Sequence, residues 1–133
     1  MSKKKGVTMV FVTNQRRCVR LIELGAKIAR QSDTTLTVLH VDGGNWPADP
    51  EGLQYLFDHT ADQGGEMRII YAEHPLEEME KAIEEEKPNH VVTGAPVGPQ
   101  SIVYRLQEKF TDCVFYSISP EEIEQAQISS PQA

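Results

Sequence analysis

Short apolar segments rich in β-branched and aromatic residues recur along the chain, a pattern that is typical of strands. Five strands are predicted, over residues 7–13, 36–41, 67–72, 90–93 and 113–118. Between them, apolar residues return every three or four positions, as they do in helices with one buried face. Strands that alternate with helices predict an α/β fold with a parallel sheet and helices on both of its faces.

Residues at the predicted element boundaries agree with this alternation. Asp49 can cap the second helix with Pro50 at its first position, and Pro88 follows the third helix. A chain of 133 residues is the size of one domain. We predict that residues 1–119 form this domain and that residues 120–133, which are rich in Ser, Pro, Gln and Glu, form a flexible tail.

Charge and hydropathy exclude two classes of partner. The net charge is −7, although eight basic and only one acidic residue precede position 31. An acidic protein lacks the positive electrostatic field that would attract nucleic acids or anionic membranes. No apolar stretch approaches the about 18 residues that cross a bilayer, and the amino terminus lacks a signal-peptide pattern. We therefore predict a cytoplasmic protein that binds neither nucleic acid nor membrane.

The sequence offers few groups for catalysis or metal binding. The two cysteines and four histidines show no metal-ligand spacing, so no metal site is predicted. Cys18 lies among arginines, as a reactive thiol would, but the helical period points it toward the core. His40 and Asp42 share one face of a strand without a nucleophile nearby. We predict that the protein is not an enzyme.

The loop after the first strand is one candidate ligand site. In doubly wound sheets the ligand crevice lies beyond the carboxyl ends of the strands, where the strand order reverses. Thr13, Asn14, Arg16 and Arg17 lie there and lead into a helix, whose amino-terminal N–H groups favour an anion. The alternative is that Asn14 caps the helix and the arginines are only solvated.

The loop after the fourth strand is the other candidate site. Gly94 and Gly98 would let the backbone approach a phosphate closely, and Ser101 opens the next helix. The alternative is a stiff turn, because Pro96 and Pro99 lack the N–H donors of a phosphate cradle.

Four segments resemble the universal stress protein family in their order and spacing. They are residues 24–30, 36–41, 88–94 and 101–106. The resemblance extends over residues 6–118. It implies a five-stranded sheet in the order 3-2-1-4-5, the fold of adenine nucleotide alpha hydrolases, together with homodimers and stress-linked signalling. For one branch of the family, the resemblance also implies ATP binding.

The resemblance assigns roles to matching positions. Val41 would contact an adenine, Gly94 and Gly98 would lie near the phosphates, and Ser101 would lie at the phosphate end of the fourth helix. The ATP-binding branch has an Asp after the first strand and a G-x2-G-x9-G-[S/T] loop. Here Thr13 or Asn14 replaces the Asp, and only three residues separate the two glycines. We therefore expect ATP to bind weakly or not at all.

Two functions remain open. One is a signalling or stress-response protein that binds a nucleotide or another small anion, and the other is a ligand-free dimeric interaction module. Residues 113–118 contain no charge or proline and lie at a sheet edge in the expected strand order. We therefore predict a homodimer through the last strand, and a protein partner for the signalling role.

Overall fold

The five predicted strands form one parallel sheet. The computed structural model describes residues 6–44, 49–94 and 102–118. The sheet has the predicted order β3-β2-β1-β4-β5. Its strands are β1 (Val7–Phe11), β2 (Thr35–Asp42), β3 (Glu66–Tyr71), β4 (His90–Gly94) and β5 (Val114–Ile118).

Four helices connect the strands: α1 (Val19–Ser32), α2 (Pro50–Asp62), α3 (Pro75–Glu86) and α4 (Ile102–Lys109). A 3-10 turn, Arg16–Cys18, leads into α1. At the start of α2 the Asp49 carboxylate accepts a hydrogen bond from the Gly52 amide at 2.9 Å, with Pro50 in the first turn, as predicted. Helix α3 ends one residue before Lys87, which adopts the left-handed conformation that often terminates helices.

The helices cover both faces of the sheet in two layers. Because successive strand residues point to opposite faces, Val10 and Val38 pack with α1 and α2. Met9 and Leu39 pack with α3 and α4 in a second core. Helix α1 lies very close to β1, since a Cβ placed on Gly25 would be 2.4 Å from Cγ2 of Val10.

Some predicted boundaries were wrong by one or two residues. Strand β1 ends at Phe11 and not at position 13, because the Gln15 amide donates to the Thr13 hydroxyl at 3.3 Å and the chain turns out of the sheet. Strand β5 begins at Val114 and not at Cys113. The predicted flexible tail, 120–133, lies outside the described residues.

The described ranges contain neither a helix that could span a membrane nor a cluster of metal ligands. Within 6–44, 49–94 and 102–118, no helix has the length and hydrophobicity to cross a membrane. In the same ranges, no three His, Cys, Asp or Glu side chains are grouped so that they could hold a metal ion.

Candidate functional site

The carboxyl ends of β1, β2 and β4 meet at one edge of the sheet. Strand β1 pairs with β2 on one side and with β4 on the other, which sets Phe11 beside Leu39 and Val10 beside Val92. The strand order reverses at β1, and a crevice opens at such a point in doubly wound sheets. Of the predicted site residues, Thr13, Asn14, Val41 and Gly94 are brought to this edge.

The loop after β1 is held by its own side chains. The Thr13 hydroxyl accepts from the Gln15 amide and lies 3.3 Å from the Cys18 sulfur. Asn14 is buried, and the residue at the amino-terminal cap position of the 3-10 turn is Gln15, whose side chain makes no capping hydrogen bond. The cap position that the alternative assigned to Asn14 is therefore held by Gln15.

The two arginines of this loop are exposed and make different contacts. The Arg16 guanidinium lies over the Tyr55 ring of α2, 5.1 Å from its centroid. The Arg17 Nε donates to the Gln15 side chain at 2.9 Å. Both contacts leave guanidinium N–H groups facing solvent near the crevice. Two positive charges thus lie beside the loop, and neither pairs with a carboxylate of residues 6–44, 49–94 or 102–118.

The first turn of α2 packs directly against this loop. A Cβ placed on Gly52 would lie 2.5 Å from the carbonyl oxygen of Asn14 and 2.7 Å from the Asp49 carboxylate. Any side chain at this position would collide with backbone, so the close approach requires glycine. The sequence revealed the Asp49 cap, but it gave no signal that this turn closes the crevice beside Asn14.

His40 and Asp42 lie at the end of β2 and were not among the predicted site residues. His40 is 1% exposed, and its Nδ1 lies 3.1 Å from the carbonyl oxygen of Val12. A carbonyl only accepts, so Nδ1 carries the proton and donates. Its Nε2 lies 3.9 Å from the Asp42 carboxylate, beyond hydrogen-bonding distance. The sequence predicted that His40 and Asp42 share one face of the strand. It did not predict the hydrogen bond from His40 to the Val12 carbonyl.

Asp42 shapes the turn after β2. One oxygen of its carboxylate accepts from the Gly44 amide at 2.8 Å, and the side chain is partly exposed. A carboxylate at this place repels phosphate and accepts from hydroxyl or amino groups. The crevice therefore has unlike ends, with cations beside the β1 loop and an acceptor beside the β2 turn.

The glycine loop after β4 is only partly described. Gly94 ends β4, and a Cβ placed on it would come no closer than 4.0 Å to the Ile118 carbonyl oxygen. Packing within the described residues does not require glycine here. The other two predicted residues of this loop, Gly98 and Ser101, lie outside the described residues.

Comparisons with solved structures identify the fold. A universal stress family protein from Burkholderia pseudomallei is 21% identical, with a TM-score of 0.62 over 89% of this chain and 98% of that chain. The universal stress protein from Archaeoglobus fulgidus in complex with dAMP is 16% identical, with a TM-score of 0.59 over 90% of this chain and 98% of that one. The resemblance found in the sequence is thus confirmed as a shared fold.

The same fold also forms part of an enzyme. A class III photolyase from Agrobacterium tumefaciens is 18% identical, with a TM-score of 0.62 over 90% of this chain but only 27% of its own. No family model matches the chain. No curated protein matches it by sequence. Function therefore has to be argued from the crevice itself.

Proposed function

We propose that this protein binds a small ligand of the nucleoside monophosphate class in the crevice beyond β1, β2 and β4, and that it acts in stress-linked signalling. The observation that carries the proposal is that β1 lies between β2 and β4 where the strand order reverses, so that the strand ends at Val41 and Gly94 flank the loop of Thr13 and Asn14. A protein of the same fold has been solved in complex with dAMP, which supports a nucleotide as the ligand.

The unlike ends of the crevice suggest how such a ligand is oriented. The phosphate lies near Arg16 and Arg17, where charge-assisted hydrogen bonds are available. The sugar or base presents a hydroxyl or amino group to the Asp42 carboxylate, and Val41 offers an apolar contact to the base. Reversing the ligand would bring phosphate against Asp42, so this orientation is favoured by charge.

A single phosphate suits the site better than a triphosphate. Two amides of the β1 loop are already engaged, since Gln15 N–H donates to the Thr13 hydroxyl and Cys18 N–H to the Gln15 carbonyl, so few amides remain for a phosphate. Pro96 and Pro99 remove further N–H donors from the sequence after β4. ATP accordingly binds more weakly than AMP or dAMP.

Calorimetric titration of AMP, dAMP and ATP into the native protein tests this proposal. A variant with Arg16→Ala and Arg17→Ala should bind AMP about tenfold more weakly, because each arginine contributes charge-assisted hydrogen bonds. Arg30→Ala is the matched control, since Arg30 lies in the last turn of α1, at the far end from Arg16 and Arg17, and donates to Gln63. Micromolar or tighter ATP binding would contradict the monophosphate proposal, and unchanged AMP binding in the double variant would remove the arginines from the site.

The proposed role is binding without chemical conversion. Cys18, the nucleophile that the sequence singled out, is 7% exposed and has the Thr13 hydroxyl as its polar neighbour. Nucleotide recovered from the titration should therefore be chemically unchanged when it is analysed by chromatography. A cytoplasmic location belongs to the same proposal, and cell fractionation checks it.

A ligand-free dimeric interaction module is the second candidate function. Val114 and Tyr116 of β5 are exposed and point to the α1 face of the sheet, where no helix of the described residues covers them. Exposed apolar side chains on an edge strand favour pairing with another chain. If AMP, dAMP and ATP all fail to bind, this candidate replaces the first.

A further inference from the structure

Three large apolar side chains are exposed at the β3 edge of the sheet, opposite β5. Tyr71 is 74% exposed, Phe57 46% and Ile69 37%. Ile69 and Tyr71 alternate with Arg68 and Ile70 along β3, so they point to the same face as the buried Met67. That face is the one covered by α2. We call Phe57, Ile69 and Tyr71 the β3 patch.

Helix geometry brings Phe57 to the same place. Leu56 faces the sheet and belongs to the core that contains Met67, while Tyr55 lies on the flank next to Arg16. Successive helical residues are about 100° apart, so Phe57 lies on the opposite flank, over the outer side of β3. Beyond this flank the described residues supply no further element. The three side chains therefore form one continuous patch along the edge.

The backbone of β3 is also open on this side. In the described sheet β3 pairs with β2 alone and ends the strand order. The outer edge of such a strand offers unpaired N–H and C=O groups to another extended segment. Strand addition with side-chain contacts on one face is a common way to bind peptides.

The charge around the β3 patch distinguishes between a second copy of this chain and a basic segment of another protein as its binding partner. Residues 49–73 carry six carboxylates and one basic side chain, Arg68, which is paired with Glu86 of α3. In the described part of the chain no cation pairs with Asp58, Asp62, Glu66 or Glu73. A second copy would place these carboxylates against their equivalents, and like charges across an interface are costly. A basic segment would instead be attracted.

We infer that the β3 edge binds an extended segment of a partner protein that alternates apolar and basic residues. The segment adds as a strand beside β3, its apolar side chains pack on Tyr71, Ile69 and Phe57, and its lysines or arginines reach the surrounding carboxylates. Tyrosine and other aromatic residues are the side chains that most often dominate such interfaces. This inference does not depend on nucleotide binding.

A short peptide of alternating lysine and valine is the probe. We expect it to shift the backbone amide resonances of β3 in the native protein and to bind more weakly as salt rises. Tyr71→Ala should weaken binding about tenfold, as truncation of a central aromatic contact does. Tyr104→Ala is the matched control, because Tyr104 is an exposed tyrosine of α4, which contacts β5 at the opposite edge of the sheet from β3. Circular dichroism shows whether each variant is folded.

Five outcomes would overturn the inference. The first is binding of an alternating glutamate and valine peptide as tightly as the basic one. The second is unchanged binding after a central proline replaces one valine, since proline cannot complete the ladder of hydrogen bonds. The third is a native oligomer that Tyr71→Ala dissociates, which would make a second copy the occupant. Amide shifts confined to β5, or no binding at low salt, would also contradict it.

Discussion

The imidazole Nδ1 of His40 donates to the carbonyl oxygen of Val12 at 3.1 Å and so joins the ends of β2 and β1. The two residues are 28 positions apart, and the bond is buried. It fixes the spacing of the two strand ends from which Thr13 and Val41 enter the crevice. The same histidine therefore contributes to stability and to the shape of the site.

Removing this donor should destabilise the fold. His40→Leu leaves the Val12 carbonyl buried without its partner, which costs about 1–3 kcal/mol of the free energy of unfolding. His40→Asn keeps an amide donor near the Nδ1 position and should lose less. Urea unfolding measures both, with His74→Leu as the control because His74 is exposed. Equal losses in the Leu and Asn variants would show that packing, and not the hydrogen bond, is what His40 supplies.

Gly25 should tolerate no side chain. Gly25→Ala places a methyl group 2.4 Å from Cγ2 of Val10, so α1 must move away from β1. We expect a loss of about 1–3 kcal/mol in the free energy of unfolding, the range for an overpacked core. Gly94→Ala is the control, since among the described residues its added Cβ would meet nothing nearer than 4.0 Å. Similar stability of the two variants in urea would contradict the close packing of α1 on β1.

The two thiols should differ in reactivity. Cys18 is buried, so it should remain unlabelled by a thiol reagent until the protein unfolds. Cys113 is partly exposed, and burial raises the pKa of its thiol. Its labelling rate should therefore still be rising at pH values where an ordinary thiol is fully ionised. The variants Cys18→Ala and Cys113→Ala separate the two signals, and rapid native labelling in Cys113→Ala would restore a redox role for Cys18.

The raised pKa also predicts a direction for stability. The unfolded chain ionises this thiol at lower pH than the folded protein does. The contribution of Cys113 to the free energy of unfolding is thus fully present below the thiol pKa of the unfolded chain. It is lost as the pH rises from that value through the higher pKa of the folded protein. Urea unfolding of the native protein and Cys113→Ala at increasing alkaline pH should show a steeper fall in the native protein, because Lys109, whose pKa is also raised, titrates in both.

The β5 edge should mediate dimer formation. Tyr116 is exposed on this strand, and Tyr116→Glu places a charge that a paired apolar edge excludes. Sedimentation velocity should give a dimer for the native protein and a monomer for the variant. Tyr104→Glu, on α4, is the control and should remain dimeric. A native monomer at high concentration, or an unaffected Tyr116→Glu dimer, would contradict this interface.

Local patterns in the sequence predicted the strands and the helices, because alternation and helical periodicity are repeated in every element, while the strand order was implied by the resemblance to universal stress proteins. The same patterns could not place the contacts that build the crevice. Gly52 against Asn14, and His40 against Val12, join residues that only the folded chain brings together. The stacking of Arg16 on Tyr55 likewise depends on where α2 lies. The sequence could indicate which residues are candidates for the site, but it could not predict which residues they contact in the folded chain.

The strand order places β3 and β5 at opposite edges of the sheet. If two chains join through β5, both β3 edges face outward at the far ends of one continuous sheet. Strands lie about 4.8 Å apart, so these ends would be separated by roughly 43 Å, or nine strand spacings. Such a dimer is bivalent. A partner with two basic segments linked over that span would be held by avidity, and its binding would strengthen as the protein becomes concentrated enough to dimerise.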